Sequence, residues 1–253
     1  MPHARLRRAL LLTALAGALL ATSAPAALIQ VDGLVLRADG GFQPQTLPRH
    51  GYAPIDFQGY FDISAKNGSP TPVLQEALID FDRDGRLDVA GLPTCDPSRI
   101  AAASTQQARS ICAGAQVGTG RLQATVALGG GSVRVNAPLT IFNGPRQDGN
   151  PTAIFHSQTS VPTTQTYAIV VPIERRQGGF RYRVRIVVPP IAEGRGALTG
   201  LRVAIGRHYR AGGHDHSYVS ARCSDNVLKT HGHFSFQSGT IIDGSVEKYC
   251  RVA

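Results

Sequence analysis

TYAIVVPIERR (166–176), GGFRYRVRIVVPP (178–190), ALTGLRVAIGRHYR (197–210) and SYVSARC (217–223) follow one another in close succession. In the second run Phe180, Tyr182, Val184 and Ile186 alternate with Arg181, Arg183 and Arg185. Side chains on a strand point to opposite faces with period 2, so the apolar set belongs to a core and the arginines to water. The third run repeats the pattern, with Leu201, Val203 and Ile205 set against Arg202 and Ala204. Glycine and proline punctuate the joins, as antiparallel strands linked by loops require.

Working outward, further strand candidates occupy 27–37, 52–64, 73–82, 122–128, 132–135, 139–142 and 153–158. After Cys223 come 230–236 and 240–249. About a dozen strands at intervals of roughly ten residues suggest a sandwich or a barrel. The expected fold is all-β, a two-sheet antiparallel β-sandwich carrying one short disulfide-flanked helix. That helix belongs near 96–113: Asp96 is a favoured N-cap, Pro97 suits the first helical position, and Gly114 is the stop. The expectation is a single β-rich domain over 27–253, with a division into two lobes at the helical insert as the alternative.

The first 26 residues read as a cleaved secretory signal peptide. Arg5, Arg7 and Arg8 form a basic start, Ala9–Leu20 is nearly all apolar, and Ala24-Pro25-Ala26 supplies small residues for cleavage. The apolar run is shorter than the ~20 residues a membrane-spanning helix needs. The expected location is therefore secreted or periplasmic, with no transmembrane segment after cleavage. The formal charge of +9 includes the three leader arginines, leaving +6 for the remainder. This excess is spread out. Arg175, Arg176, Arg181, Arg183 and Arg185 are its one cluster, a candidate contact for an anionic envelope component, although arginine outward is also what a wet strand face looks like. Nucleic acid is not an expected partner.

Four cysteines, an even number in an exported chain, point to two disulfides. The sequential pairing Cys95–Cys112 and Cys223–Cys250 is expected, each closing a short loop worth about 3 kcal/mol in the chain-entropy account. The spacings are not those of a thiolate metal site.

FDRDGRLDVAGLPTC (81–95), VGTG (117–120), PLTIFNG (138–144) and SYVSARC (217–223) together resemble a set of predicted exported bacterial proteins with no characterised activity. The resemblance covers most of the chain after the leader. It implies export and β architecture and carries over no catalytic residue.

Two constellations stand out as candidate sites. Asp80, Asp82 and Asp84 with Gly85 match D-x-D-x-D-G, the first half of a calcium loop, and Asp88 falls at a further ligand position. Position twelve, normally glutamate, is Gly91. The competing reading is a hairpin turned at Asp84-Gly85, with Ile79 and Phe81 inward and Asp80 and Asp82 outward. The second constellation is His214-Asp215-His216 and His231-Gly232-His233. Residues two apart on a strand share a face, so two adjacent H-x-H strands would hold zinc or copper; in loops the same residues are simply solvated.

No nucleophile elbow, H-E-x-x-H, phosphate loop or dinucleotide fingerprint is present. The chain has no Trp and few aromatics, which weighs against a sugar-binding surface. The expectation is a non-enzymatic exported protein with a binding or structural role at the envelope or outside the cell. The alternative is a metal-dependent extracellular enzyme built on the H-x-H pairs.

Overall fold

The computed structural model describes residues 26–253; the rest of the expected leader lies outside the described residues. In chain order the elements are β1 (Ala27–Val31), β2 (Leu34–Gln43), β3 (Thr46–Leu47), β4 (Ala53–Pro54), β5 (Asp56–Ala65), β6 (Leu74–Asp82) and β7 (Gly85–Leu87). Two short helices follow, α1 (Pro97–Ile100) and α2 (Thr105–Ile111), then a 3₁₀ turn (Ala113–Ala115). Next come β8 (Gln116–Leu128), β9 (Gly131–Gln147), β10 (Asn150–Thr159), β11 (Gln165–Arg175), β12 (Phe180–Val187) and β13 (Gly196–Ile205). The chain ends with β14 (His208–Ala211), β15 (His214–Ser217), β16 (Val219–Ala221), β17 (Val227–Phe236), β18 (Ile241–Tyr249) and β19 (Arg251–Val252).

The alternation in 166–205 does build strands with apolar residues inward. The expected pair of packed sheets, however, is a single twelve-stranded sheet in the order β1-β2-β5-β13-β8-β9-β10-β11-β12-β6-β17-β18. Each hydrogen-bonded neighbour in it is antiparallel. The accumulated twist of so long a sheet brings its two edges together, and β1 lies beside β18. The result is a nearly closed barrel rather than a sandwich. No ladder of hydrogen bonds joins β1 to β18. Side chains close the seam instead: Ile29 lies over Gly244, where a Cβ would overlap it, and Lys248 Nζ meets Asp39 Oδ1 at 2.7 Å.

Inward positions from all around the sheet share one core, including Leu36, Phe61, Ile141, Phe155, Val171, Ile186, Leu201 and Phe234. Outward positions carry Arg37, Arg121, Arg183, Arg185 and Arg202. Three of these are cross-strand partners: Arg183 to Asp80, Arg185 to Glu76 and Arg202 to Asp62. Of the expected arginine cluster, Arg183 and Arg185 are thus taken by acids on a neighbouring strand, while Arg175 and Arg181 lie against the rings of Tyr182 and Tyr52. Phe180 departs from the pattern. A β-bulge between Phe180 and Tyr182 sets Phe180 opposite Asp82 and outside the barrel core, its ring 6.2 Å from that of His231.

The outer face of β9, β10 and β11 is also apolar, and the insert covers it. Phe142 and Ile154 pack with Ile100, Ala108, Ala115 and the Cys95–Cys112 disulfide. The one expected helix is two. Asp96 caps α1 by accepting from Ser98 N, and a new capping box, Ser104 with Gln107, starts α2. His156 is fully buried beneath them with Nε2 3.1 Å from Ala103 O. Burial, outweighing the raising effect of the Ala103 and Ile100 carbonyls, holds its pKa below the usual histidine value. Among the described residues no helix is long and apolar enough to cross a membrane.

The connections are unequal at the two ends. Antiparallel order places every long excursion at one end: 44–55, 83–115, 206–226 and the segment after β18. The opposite end has shorter links, among them the tight turns at 32–33 and 129–130. Both disulfides, Cys95–Cys112 and Cys223–Cys250, lie in the long excursions, with the pairing the spacing suggested.

Candidate functional site

Three of those excursions weave a cap over the barrel. β4, β16 and β7, each from a different excursion, hydrogen-bond as a three-stranded sheet in the order β4-β16-β7. The Cys223–Cys250 bridge fastens the cap to the end of β18, with Leu47, Phe42 and Ile55 packed around it. Under the cap the barrel holds a partly open apolar cavity of about 270 Å³. Its walls include Leu36, Phe61, Ile141, Phe155, Val203 and Phe234, and its roof Ile55, Leu87, Tyr218 and Val219. A second space of about 80 Å³ lies toward the other end. Phe61, Phe155, Ile186 and Leu201 border both, so they form the partition between them.

Inward glycines also border the cavity, with neighbouring side chains lying over them. Gly59, Gly232 and Gly244 all line the larger cavity. Phe57 lies over Gly59 and Phe234 over Gly232, with ring atoms 3.1 Å and 2.6 Å from where a Cβ would sit. Protein interiors normally leave few voids larger than a water molecule. A space of about 270 Å³ is far larger than such a void.

The aspartate run is part of the cap's stitching. Asp84 has no exposed surface; it accepts from Arg222 Nε at 2.7 Å and from Ser224 N at 2.9 Å. Burial alone would raise its pKa, but these bonds outweigh it and hold the carboxyl below the usual range. Asp82 accepts from Asp84 N and Lys229 N, and burial pushes its pKa up. Asp80 takes a bidentate Arg183, with bonds of 2.8 and 2.7 Å. Asp88 Oδ2 meets His216 Nδ1 at 2.9 Å, and Tyr209 stacks on that imidazole at 5.2 Å. Burial would raise the Asp88 carboxyl too, yet the His216 contact and the Ala90 N–H bring it below its ordinary value.

Each carboxylate of the expected calcium loop is thus engaged by a different donor. Gly91, where a calcium loop places glutamate, has φ +69°, and a Cβ there would lie 2.5 Å from Ala211 Cβ. A backbone turn occupies the position, so no fifth acid follows Asp80, Asp82, Asp84 and Asp88. The expected hairpin is absent as well, because β7 pairs with β16 and not with β6. Asp80 does face outward and Ile79 and Phe81 line the cavity, as the alternation implied, but Asp82, expected outward as well, borders the cavity.

The two H-x-H pairs do not meet. His214 and His216 sit on the small β14–β15 hairpin, where His216 belongs to Asp88 and His214 is exposed. His231 and His233 lie on the outer face of β17 and both turn to Asp243, at 3.5 and 2.8 Å. Among the described residues no set of three or more His, Cys, Asp or Glu is arranged to hold a metal ion. The arrangement offers no support for the metal-enzyme alternative.

Two features went unread in the sequence. Arg86, Arg181 and Arg222 surround Tyr52, their guanidinium carbons 5.6, 5.4 and 5.5 Å from its ring centre. They come from three separate parts of the chain, so no local pattern could show them. Tyr218 is the other. It follows β15, its N–H bonds Arg207 O and its carbonyl accepts from Asp88 N, and its side chain joins the barrel core. Only its place within SYVSARC, where the regular strand pattern stops, marked the neighbourhood. No protein-family model, no curated protein and no solved structure matches the chain.

Proposed function

We propose that the chain is an exported protein that binds a small apolar molecule inside its barrel. The observation that carries this reading is the apolar cavity of about 270 Å³ under the woven cap. Ligand sites are concave, mostly apolar and preformed, with typical volumes of ~300–1,000 Å³, and an eight-stranded or wider barrel is a recurrent place for one. The side-chain pattern supports a water-exposed carrier: apolar residues face inward and arginines outward, the reverse of a membrane-spanning barrel. Two disulfides fit an oxidising compartment, and the basic and apolar start of the sequence supports export to one.

Titration with N-phenyl-1-naphthylamine, a neutral apolar dye whose emission rises out of water, tests the reading. One saturable site is expected in the purified chain. Ala153 is buried on the cavity wall, and an Ala153→Phe variant fills the space from within. It should keep its far-ultraviolet dichroism and lose the dye. Absence of saturable binding, or undiminished binding to the filled variant, would overturn the proposal.

A further inference from the structure

Most polar groups on the cavity wall already have protein partners. Tyr182 accepts the Leu87 N–H at 3.3 Å, Lys248 is tied to Asp39, and the Asp82 carboxylate takes two backbone N–H groups. Tyr218 differs. It is 3% exposed, it lines the roof of the cavity, and no side-chain hydrogen bond among the described residues involves its hydroxyl, which is not among the fully sealed polar atoms left without a partner. Burial alone pushes its pKa above the usual tyrosine value, with no bond contributing. A buried hydroxyl left without a partner costs ~1–3 kcal/mol, which is why buried tyrosines ordinarily find one. Phenylalanine would pack as well at this place without that cost.

We infer that the Tyr218 hydroxyl is the polar anchor of the cavity and that the ligand is an uncharged apolar molecule bearing one hydrogen-bond acceptor, such as a carbonyl or ether oxygen. This rests on the reading of the cavity as a ligand site. The O–H donates to the ligand's oxygen, while the surrounding Val219, Leu87 and Ile55 accept only hydrocarbon. The same burial that keeps the phenol neutral disfavours a charged ligand group beside it.

A matched pair of probes tests this: propylbenzene and propiophenone, which differ by one carbonyl oxygen. Calorimetric titration of both into the full chain and a Tyr218→Phe variant forms a four-way comparison. The ketone should lose roughly tenfold in affinity in Tyr218→Phe, the worth of one hydrogen bond, while propylbenzene is unchanged. Without ligand, Tyr218→Phe should melt no lower than the parent, because the hydroxyl it loses was unpaired. Ketone and hydrocarbon affected alike, or a variant that melts well below the parent, would overturn the anchor while leaving the cavity in place. If neither probe binds the parent chain, the cavity reading itself falls.

Discussion

Removing the charge of Asp84 is the sharpest perturbation of the cap. Its carboxylate has no exposed surface and joins the 83–115 excursion to 206–226 through Arg222 Nε and Ser224 N. Asp84→Asn keeps the shape and deletes the charge from both bonds. Hydrogen bonds to a charged group contribute ~1.5–3 kcal/mol each. Arg222 keeps about a third of its side chain in water, so its share lies at the low end. The expected loss is about 3 kcal/mol. For a protein of this length that lowers the melting midpoint by about 6–12 °C. Thermal unfolding followed by circular dichroism at neutral pH reads this directly. The folded carboxyl is held below its ordinary 3.8, so its contribution is complete above that pH and is lost as pH falls through the lower folded value. The gap between parent and variant should therefore narrow in strong acid. In a cycle with Arg222→Ala the two effects should fall short of adding, by about 1–3 kcal/mol. A midpoint within about 2 °C of the parent at neutral pH, or strict additivity, would refute the claim that this pair locks the cap.

The buried His156 predicts acid sensitivity in a different window. Its folded pKa lies below 6.5, so the unfolded chain binds a proton first as pH falls, and stability declines from about neutrality downward. Urea unfolding at pH 7.5 and 5 should show that decline in the parent and its loss in His156→Gln; equal slopes would refute it. At Gly91, the positive φ and the approach to Ala211 make Gly91→Glu destabilising by at least about 1 kcal/mol. Its midpoint should drop and stay unmoved by millimolar calcium against chelator, as should the parent's. A calcium-dependent rise in either would restore the ion-loop reading.

Period-2 alternation was legible because burial on one face acts residue by residue. The inward set from Tyr182 to Ile186 and the outward Arg183 and Arg185 follow from it directly. Closure was not legible. Alternation is the same in a sandwich and a barrel, and the choice here depends on Ile29 meeting Gly244 across most of the chain. Phe180 was misplaced because one extra residue in a bulge inverts the parity before it. The break between the helices was written in Ser104-Thr105-Gln106-Gln107, a capping box inside a stretch otherwise fit for one helix. The aspartates were recognised as a group, yet their partners Arg222, Ser224 and Lys229 lie far along the chain, so the spacing alone resembled an ion loop. Gly59 and Gly232 stand at inward positions two residues from a phenylalanine, Phe57 and Phe234, whose ring lies over each.

The seam between β1 and β18 sets an order of assembly. These are the first and last strands of the sheet, and a chain delivered N-terminus first presents β1 long before 241–249 is available. Until then β2 to β17 can form only a curled ribbon with one wall of its interior missing. Cys223 likewise waits for Cys250, beyond the last barrel strand. Sealing of the interior and oxidation of the second bridge thus both wait for 241–250. A partner molecule already nestled in the open ribbon would be enclosed as the final strand docks, without having to pass through a finished wall.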